Sequence, residues 1–250
     1  MIRFDIKKAI FNYRNLIIIL GFMIYAYFLG ADILAEVLRK GELLSPLWSL
    51  EFISGVITDR RMLYIIPIAA ALPYAAAFID EKKSGELKFV LIRTVKKKYI
   101  FSKLLSSAMS GGLVLFVSVL ILYLFTYYVF FPVEILTEDT AVVTSVEKCL
   151  LLCLRYFLVG SIYSLTGSIL SLITLNRYIA WSGAFIIEYL LIIVTKRFFK
   201  GLYILNTAEW IVESRTWPLK GWSLYIWLVM VLILLGVIYA KLLQKEIDSD

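Results

Sequence analysis

The sequence predicts an all-α membrane protein with six transmembrane helices, and three observations predict it. First, 61% of the 250 residues are hydrophobic and the mean hydropathy is +0.86, against about 45–50% apolar in a soluble domain. Second, charged residues make up 18% of the chain and cluster between apolar runs of roughly twenty residues, the length that crosses a hydrocarbon core as helix. Third, no ten-residue segments alternate apolar and polar, the pattern a membrane β-barrel needs. The whole chain, 1–250, reads as one membrane domain.

Segment 1–15 comes first. Ile2, Ile6, Ala9, Ile10 and Tyr13 recur at helical spacing, with Arg3, Lys7 and Arg14 between them. That pattern reads as an amphipathic elbow helix on the inner membrane surface, in preference to the basic region of a cleaved signal. The spans then run over 16–35, 62–79, 104–130, 149–175, 179–195 and 222–240. Pro67 and Pro73 interrupt the second span, where proline bends a helix and frees a carbonyl. Gly160, Ser164, Gly167, Ser168 and Ser171 form a small-residue stripe in the fourth, suited to close helix packing.

With the N-terminus inside, the inner segments 1–15, 80–103, 176–178 and 241–250 hold fifteen Lys and Arg residues and the outer segments ten. Segment 80–103 carries eight of them. This bias sets both termini on the cytoplasmic side, although Lys196, Arg197 and Lys200 then fall outside. Two outer segments look interfacial or re-entrant. One holds Leu43, Leu44, Trp48, Phe52 and Ile53. The other, 196–221, holds Phe198, Phe199, Trp210 and Trp217.

Composition also excludes functions. The net charge of +7 suits anionic headgroups rather than nucleic acid. The chain has no histidine, which removes Ser-His-Asp and Cys-His nucleophile systems and imidazole metal sites. Cys149 and Cys153 are too few for a zinc site and read as apolar fillers. No catalytic, cofactor or metal residues are expected.

The most informative stretch is 80–103, DEKKSGELKFVLIRTVKKKYIFSK. Ser84 and Gly85 break the helix after Glu81. Leu87, Val90 and Leu91 then recur on one face of a short helix, and a basic turn over Lys96, Lys97 and Lys98 follows. Such a helix has two uses: to lie in the lipid interface or to seat in a partner's groove.

In order and spacing, Glu81, Gly85, Leu87, Leu91, Lys96 to Lys98 and Lys103 resemble the coupling-helix region of the type-2 ATP-binding-cassette exporter permeases. That family usually has Pro-Val in the turn, where this chain has Thr94-Val95. The resemblance covers the whole chain in architecture and about 25 residues in motif. It implies a permease subunit of an exporter, in the plasma membrane with both termini cytoplasmic. It implies two permease chains, identical or closely related, above two ATPase subunits. ATP and Mg would sit on the ATPase, because this chain has no G-x-x-x-x-G-K-[ST] with which to cradle phosphates. The chain is then not catalytic by itself. Glu81, Gly85, Leu87, Val90, Leu91, Lys96 and Lys97 would form the coupling contact. Short permeases of this family resemble exporters of amphipathic and antimicrobial peptides.

Arg155 lies about six residues below the outer end of the fourth span and Glu188 about seven below the outer end of the fifth, which at about 1.5 Å per residue puts both roughly 10 Å deep, on one level. A charge at the bilayer centre costs at least about 2.5–3.5 kcal/mol on insertion scales, so an Arg155–Glu188 ion pair is expected. It reads as a structural clamp, or as a cavity with Glu188 facing the pathway; Arg155 reaching the headgroups is the third possibility. The competing function is a proton-coupled secondary transporter built on Glu188.

Overall fold

The computed structural model describes residues 2–41, 44–45, 47–130, 132, 134, 138–199, 201–212 and 217–249. Leu43 and Lys200 lie outside them. The described chain is helical throughout, in order α1 (Ile2–Ile10), α2 (Tyr13–Leu29), α3 (Ala31–Lys40), α4 (Trp48–Ile57), α5 (Arg60–Ala71), α6 (Ala77–Ser84), α7 (Glu86–Arg93), α8 (Lys96–Phe130), α9 (Glu138–Thr174), α10 (Arg177–Arg197), α11 (Thr207–Val212) and α12 (Trp222–Ser249). Among the described residues the only β-pairing is an isolated bridge between Leu44 and Glu134. Five stretches are long and apolar enough to cross a membrane: Phe4–Leu29, Lys96–Phe130, Val146–Thr174, Arg177–Arg197 and Trp222–Asp248.

The sixth expected span, over 62–79, is not one helix. α5 ends at Ala71 and α6 starts at Ala77, with a turn between them. Pro73 explains the break, since it has no N–H to donate and its ring clashes with the carbonyl four residues back. Pro67, by contrast, sits within α5. The Ser171 hydroxyl of α9 donates to the Ala75 carbonyl at 3.2 Å. A neighbouring helix thereby satisfies a group in the break.

The first expected span also divides. Gly30 separates α2 from α3, and the Phe52 ring of α4 fills the space a Cβ there would need. At the chain's start, α1 packs on α8 and buries Asp5 and Ala9. The Asn15 side chain donates to the carbonyls of Ala9 and Ile10 at 2.8 and 2.7 Å. It closes the end of α1 and sets the bend into α2.

Helix α9 is the centre of the bundle. In its most apolar eighteen-residue window 78% of residues are buried, against 22% for α12. α8, α10, α12 and α5 all pack on it. The α8–α9 seam is made of small residues. A Cβ at Gly111 would fall 2.7 Å from the carbonyl oxygens of both Ala70 and Gly160, so the backbones touch. Hydroxyls stitch the same seam: Ser164 donates to the Ser107 carbonyl at 2.7 Å, and Ser107 and Ser168 bond at 2.7 Å. The small-residue stripe is packing, as its spacing predicts. Cys149 and Cys153 are buried and unlinked.

The two ends of the bundle differ. One, here the basic end, holds α1, α6, α7 and the end of α12. The other holds α4 and α11. Phe52, Ile53 and Trp210 are buried at that second end, whereas Phe198, Phe199 and Trp222 are exposed. Tyr156 of α9 donates to the Ile57 carbonyl at 2.9 Å and so holds the end of α4.

Gly160→Val should therefore split the α8–α9 seam, with an overpacking cost of about 1–3 kcal/mol or more. Gly21 has open space around its Cβ position, so Gly21→Ala should be neutral or stabilising by up to ~1 kcal/mol. Thermal unfolding of the two purified variants in detergent measures the contrast.

Candidate functional site

Two groups of polar side chains stand out in this apolar fold. The first is at the basic end. Lys103, about two turns into α8, is 1% exposed. Its ammonium forms an ion pair with Glu81 of α6 and lies 3.8 Å from Asp5 of α1. It also donates to the Tyr74 hydroxyl at 3.1 Å, and it sits 5.5 Å from the centres of the Tyr74 and Tyr99 rings. Tyr99 donates to Glu81 at 2.9 Å and Ser102 donates to Asp5 at 2.6 Å. Four separate pieces of chain, including the α5–α6 turn, meet on one buried amine. A cavity of about 310 Å³ borders this cluster, with Lys8, Arg14, Tyr74, Asp80 and Glu81 in its wall.

The coupling residues surround this cluster. Glu81 belongs to it and is buried, so it is not a surface contact. Gly85, at φ +77°, turns the chain from α6 into α7, a conformation glycine adopts without steric cost. Leu87 is buried at 3% exposure in a cluster with Phe78, Leu172, Leu243 and Ile247, and Val90 and Leu91 pack partly against it. The stripe expected to face outward thus faces the chain's own core. The face of α7 left exposed carries Lys88, Phe89, Ile92 and Arg93, with Val95 beyond it. A short helix with apolar residues on both sides gives sequence no means of choosing which side is out. Lys96 pairs with Asp248 at 2.8 Å, and Lys82 with Glu246 at 2.7 Å, so the end of α12 is tied to both flanks of α7. Lys97 is exposed.

The second group lies around Glu188, and the expected Arg155–Glu188 ion pair is not formed. Arg155 lines a cavity with Lys148, Leu151 and Tyr225. Glu188 lines another, between α9, α10, α11 and α12. Counted from the shared turn at Leu175 and Asn176, Tyr163 and Glu188 are each twelve residues away, and Arg155 is twenty. Eight residues of helix separate the levels by roughly 12 Å. Counting depth from the far ends of the two spans fails because α9 has 37 residues and α10 has 21. Tyr163 and Thr207 are the polar neighbours of Glu188. Both Glu188 oxygens, the Tyr163 hydroxyl and the Thr207 hydroxyl nevertheless lack hydrogen-bond partners. Tyr163 and Thr207 were not singled out from sequence; counting back from the turn would have found Tyr163.

Among the described residues no group of three or more Asp, Glu, Cys or His side chains is placed to hold a metal ion. No protein family, curated protein or solved structure matches the chain. The fold places it in the class of all-α proteins with several helices fit to cross a membrane.

Two outcomes are expected. Lys103→Met should cost about 3–5 kcal/mol, because it leaves two buried carboxylates uncompensated. The triple variant D5N/E81Q/K103M should recover much of that loss, as read by thermal unfolding. For the second group, the losses from Arg155→Met and Glu188→Gln should add to within about 0.3–0.5 kcal/mol, as they do for residues without a shared partner. A double-mutant cycle measures this.

Proposed function

We propose that the chain is the membrane-spanning permease subunit of a type-2 ATP-binding-cassette exporter, with both termini cytoplasmic in the plasma membrane. It crosses the membrane six times, the broken α5–α6 pair being one pass. Two such chains, identical or closely related, pair above two ATPase subunits, which bind ATP and Mg. The complex moves an amphipathic substrate outward, a class that includes antimicrobial peptides.

The observation that carries this reading is α7. It is a short helix at the basic end, offset from the bundle by Gly85. Its inner face is anchored by Leu87, and its outer face shows Phe89 and Ile92 amid Lys88 and Arg93. An apolar ridge with a cationic rim suits a groove in a partner of opposite charge. The anchoring is as important as the exposure. Through Leu87 and the Lys82–Glu246 and Lys96–Asp248 pairs, a push on α7 reaches α6, α8 and α12 together. The docking residues are then Phe89, Ile92 and Val95, with Leu87, Val90 and Leu91 as the mount.

Ile92→Asp should reduce co-purification of the ATPase at least tenfold while leaving the unfolding midpoint of the permease nearly unchanged. Leu87→Asp should do the opposite first and lower the midpoint by burying an unpaired charge. An ATPase that stays bound to a Phe89→Asp, Ile92→Asp double variant rules the docking face out. The buried carboxylate of Glu188 favours the second reading, a proton-coupled carrier. Transport that stops with an uncoupler and persists without ATP selects it.

A further inference from the structure

The Glu188 cavity has a volume of about 220 Å³. Its floor is α9, with Tyr163 and Thr166. Its walls are α10, with Glu188 and Leu191, and α12, with Val231 and Leu235. Thr207 and Trp210 of α11 close it at one end. α10 and α12 both pack mainly on α9, and the cleft lies between them. Ile238 of α12, which lines the cleft, is exposed. In a bilayer that side of the cleft faces lipid.

The interior of this cleft holds a carboxyl group with no cation beside it among the described residues. Glu188 is 2% exposed, its two oxygens have no hydrogen-bond partner, and among the described residues no Lys or Arg lines the cavity. The hydroxyls of Tyr163 and Thr207 beside it are also unpartnered. Buried polar groups without partners are uncommon, and several in one place indicate something that joins them. Water would serve the hydrogen bonds of a protonated carboxyl, whereas an ionised Glu188 needs a cation as well. A bare metal ion would find one carboxylate and two hydroxyls in a wall that is otherwise apolar, too few oxygen ligands. An ammonium group supplies both a positive charge and several donors, and two aromatic residues, Tyr163 and Trp210, are in the lining.

We propose that this cleft binds an organic monocation with an apolar body, such as an alkylammonium, entering from the lipid side with Glu188 as its counter-ion. The apolar walls take the alkyl part, and the volume, below the ~300–1,000 Å³ of pockets for drug-sized ligands, limits the enclosed part to a short chain or the end of a longer one. The site belongs to this chain alone, so it stands or falls independently of any ATPase partner.

The test uses the full chain purified in a neutral maltoside detergent. n-Hexylammonium, hexan-1-ol and hexanoate are titrated separately, and binding is read from tryptophan fluorescence and from the unfolding midpoint. Saturable binding of hexylammonium, at least about tenfold tighter than either of the others, is expected, since loss of one partner of a buried charge pair costs more than a factor of ten. Glu188→Gln should remove that preference. Leu235→Trp, which fills the cleft from the opposite wall and keeps the carboxylate, should abolish binding and provides the readout if Glu188→Gln does not fold. Equal binding of hexan-1-ol and hexylammonium, no saturable binding, or hexylammonium affinity unchanged in both variants overturns the proposal.

Discussion

A lysine whose ammonium is almost wholly out of water is the constraint from which the basic end of this molecule is built. Lys103 sits near the start of a 35-residue helix, and desolvating its charge costs several kcal/mol unless anions come to it. They come from two directions: Asp5 from α1 and Glu81 from α6. For Asp5 to arrive, α1 must lie along the first turns of α8, and the Asn15 side chain ties the end of α1 to the start of α2. For Glu81 to arrive, α6 must start afresh after a break, and the break itself supplies Tyr74. The net energetic gain of such a cluster is small beside its geometric demand. It specifies which elements meet.

The seam between α8 and α9 works by the opposite means. No charge is involved; backbones approach because Gly111, Gly112 and Gly160 have no side chain in the way. In lipid, where apolar contact with a neighbour is no better than contact with an acyl chain, close packing and hydroxyl bonds must supply the association. Serines supply those bonds here. α5 and α10 pack on this pair and on each other, and α12 packs on it as well. A cleft remains between α10 and α12, and Glu188 lies in it.

Helix α12 connects the two polar groups. Its last turns pair with Lys82 and Lys96 on either side of α7, and Leu243 and Ile247 pack with Leu87. Its middle, at Val231 and Leu235, is one wall of the Glu188 cleft. One helix thus contacts both groups, about 8–12 residues or roughly 12–18 Å apart at 1.5 Å per residue, and α12 has no proline or break in its 28 residues.

By itself the sequence determined the all-α class, the long apolar helices, the packing role of the glycine–serine stripe and the turn at Gly85, because length, composition and small-residue spacing act locally. It also marked Pro73 as a disturbance. What it left open were matters of direction and level. A helix as short as α7 carries apolar residues on two faces, and only the position of α9 and α12 decided that Leu87 turns inward and Phe89 and Ile92 outward. Arg155 and Glu188 were paired by counting from the outer ends of two helices of unequal length; the turn they share placed Tyr163 opposite Glu188 instead. Glu81 and Lys103 read as members of a linear motif, twenty-two residues apart. Their contact with each other, and with Asp5 from α1 near the chain's start, depends on three helices folding together, and no local pattern records such a meeting.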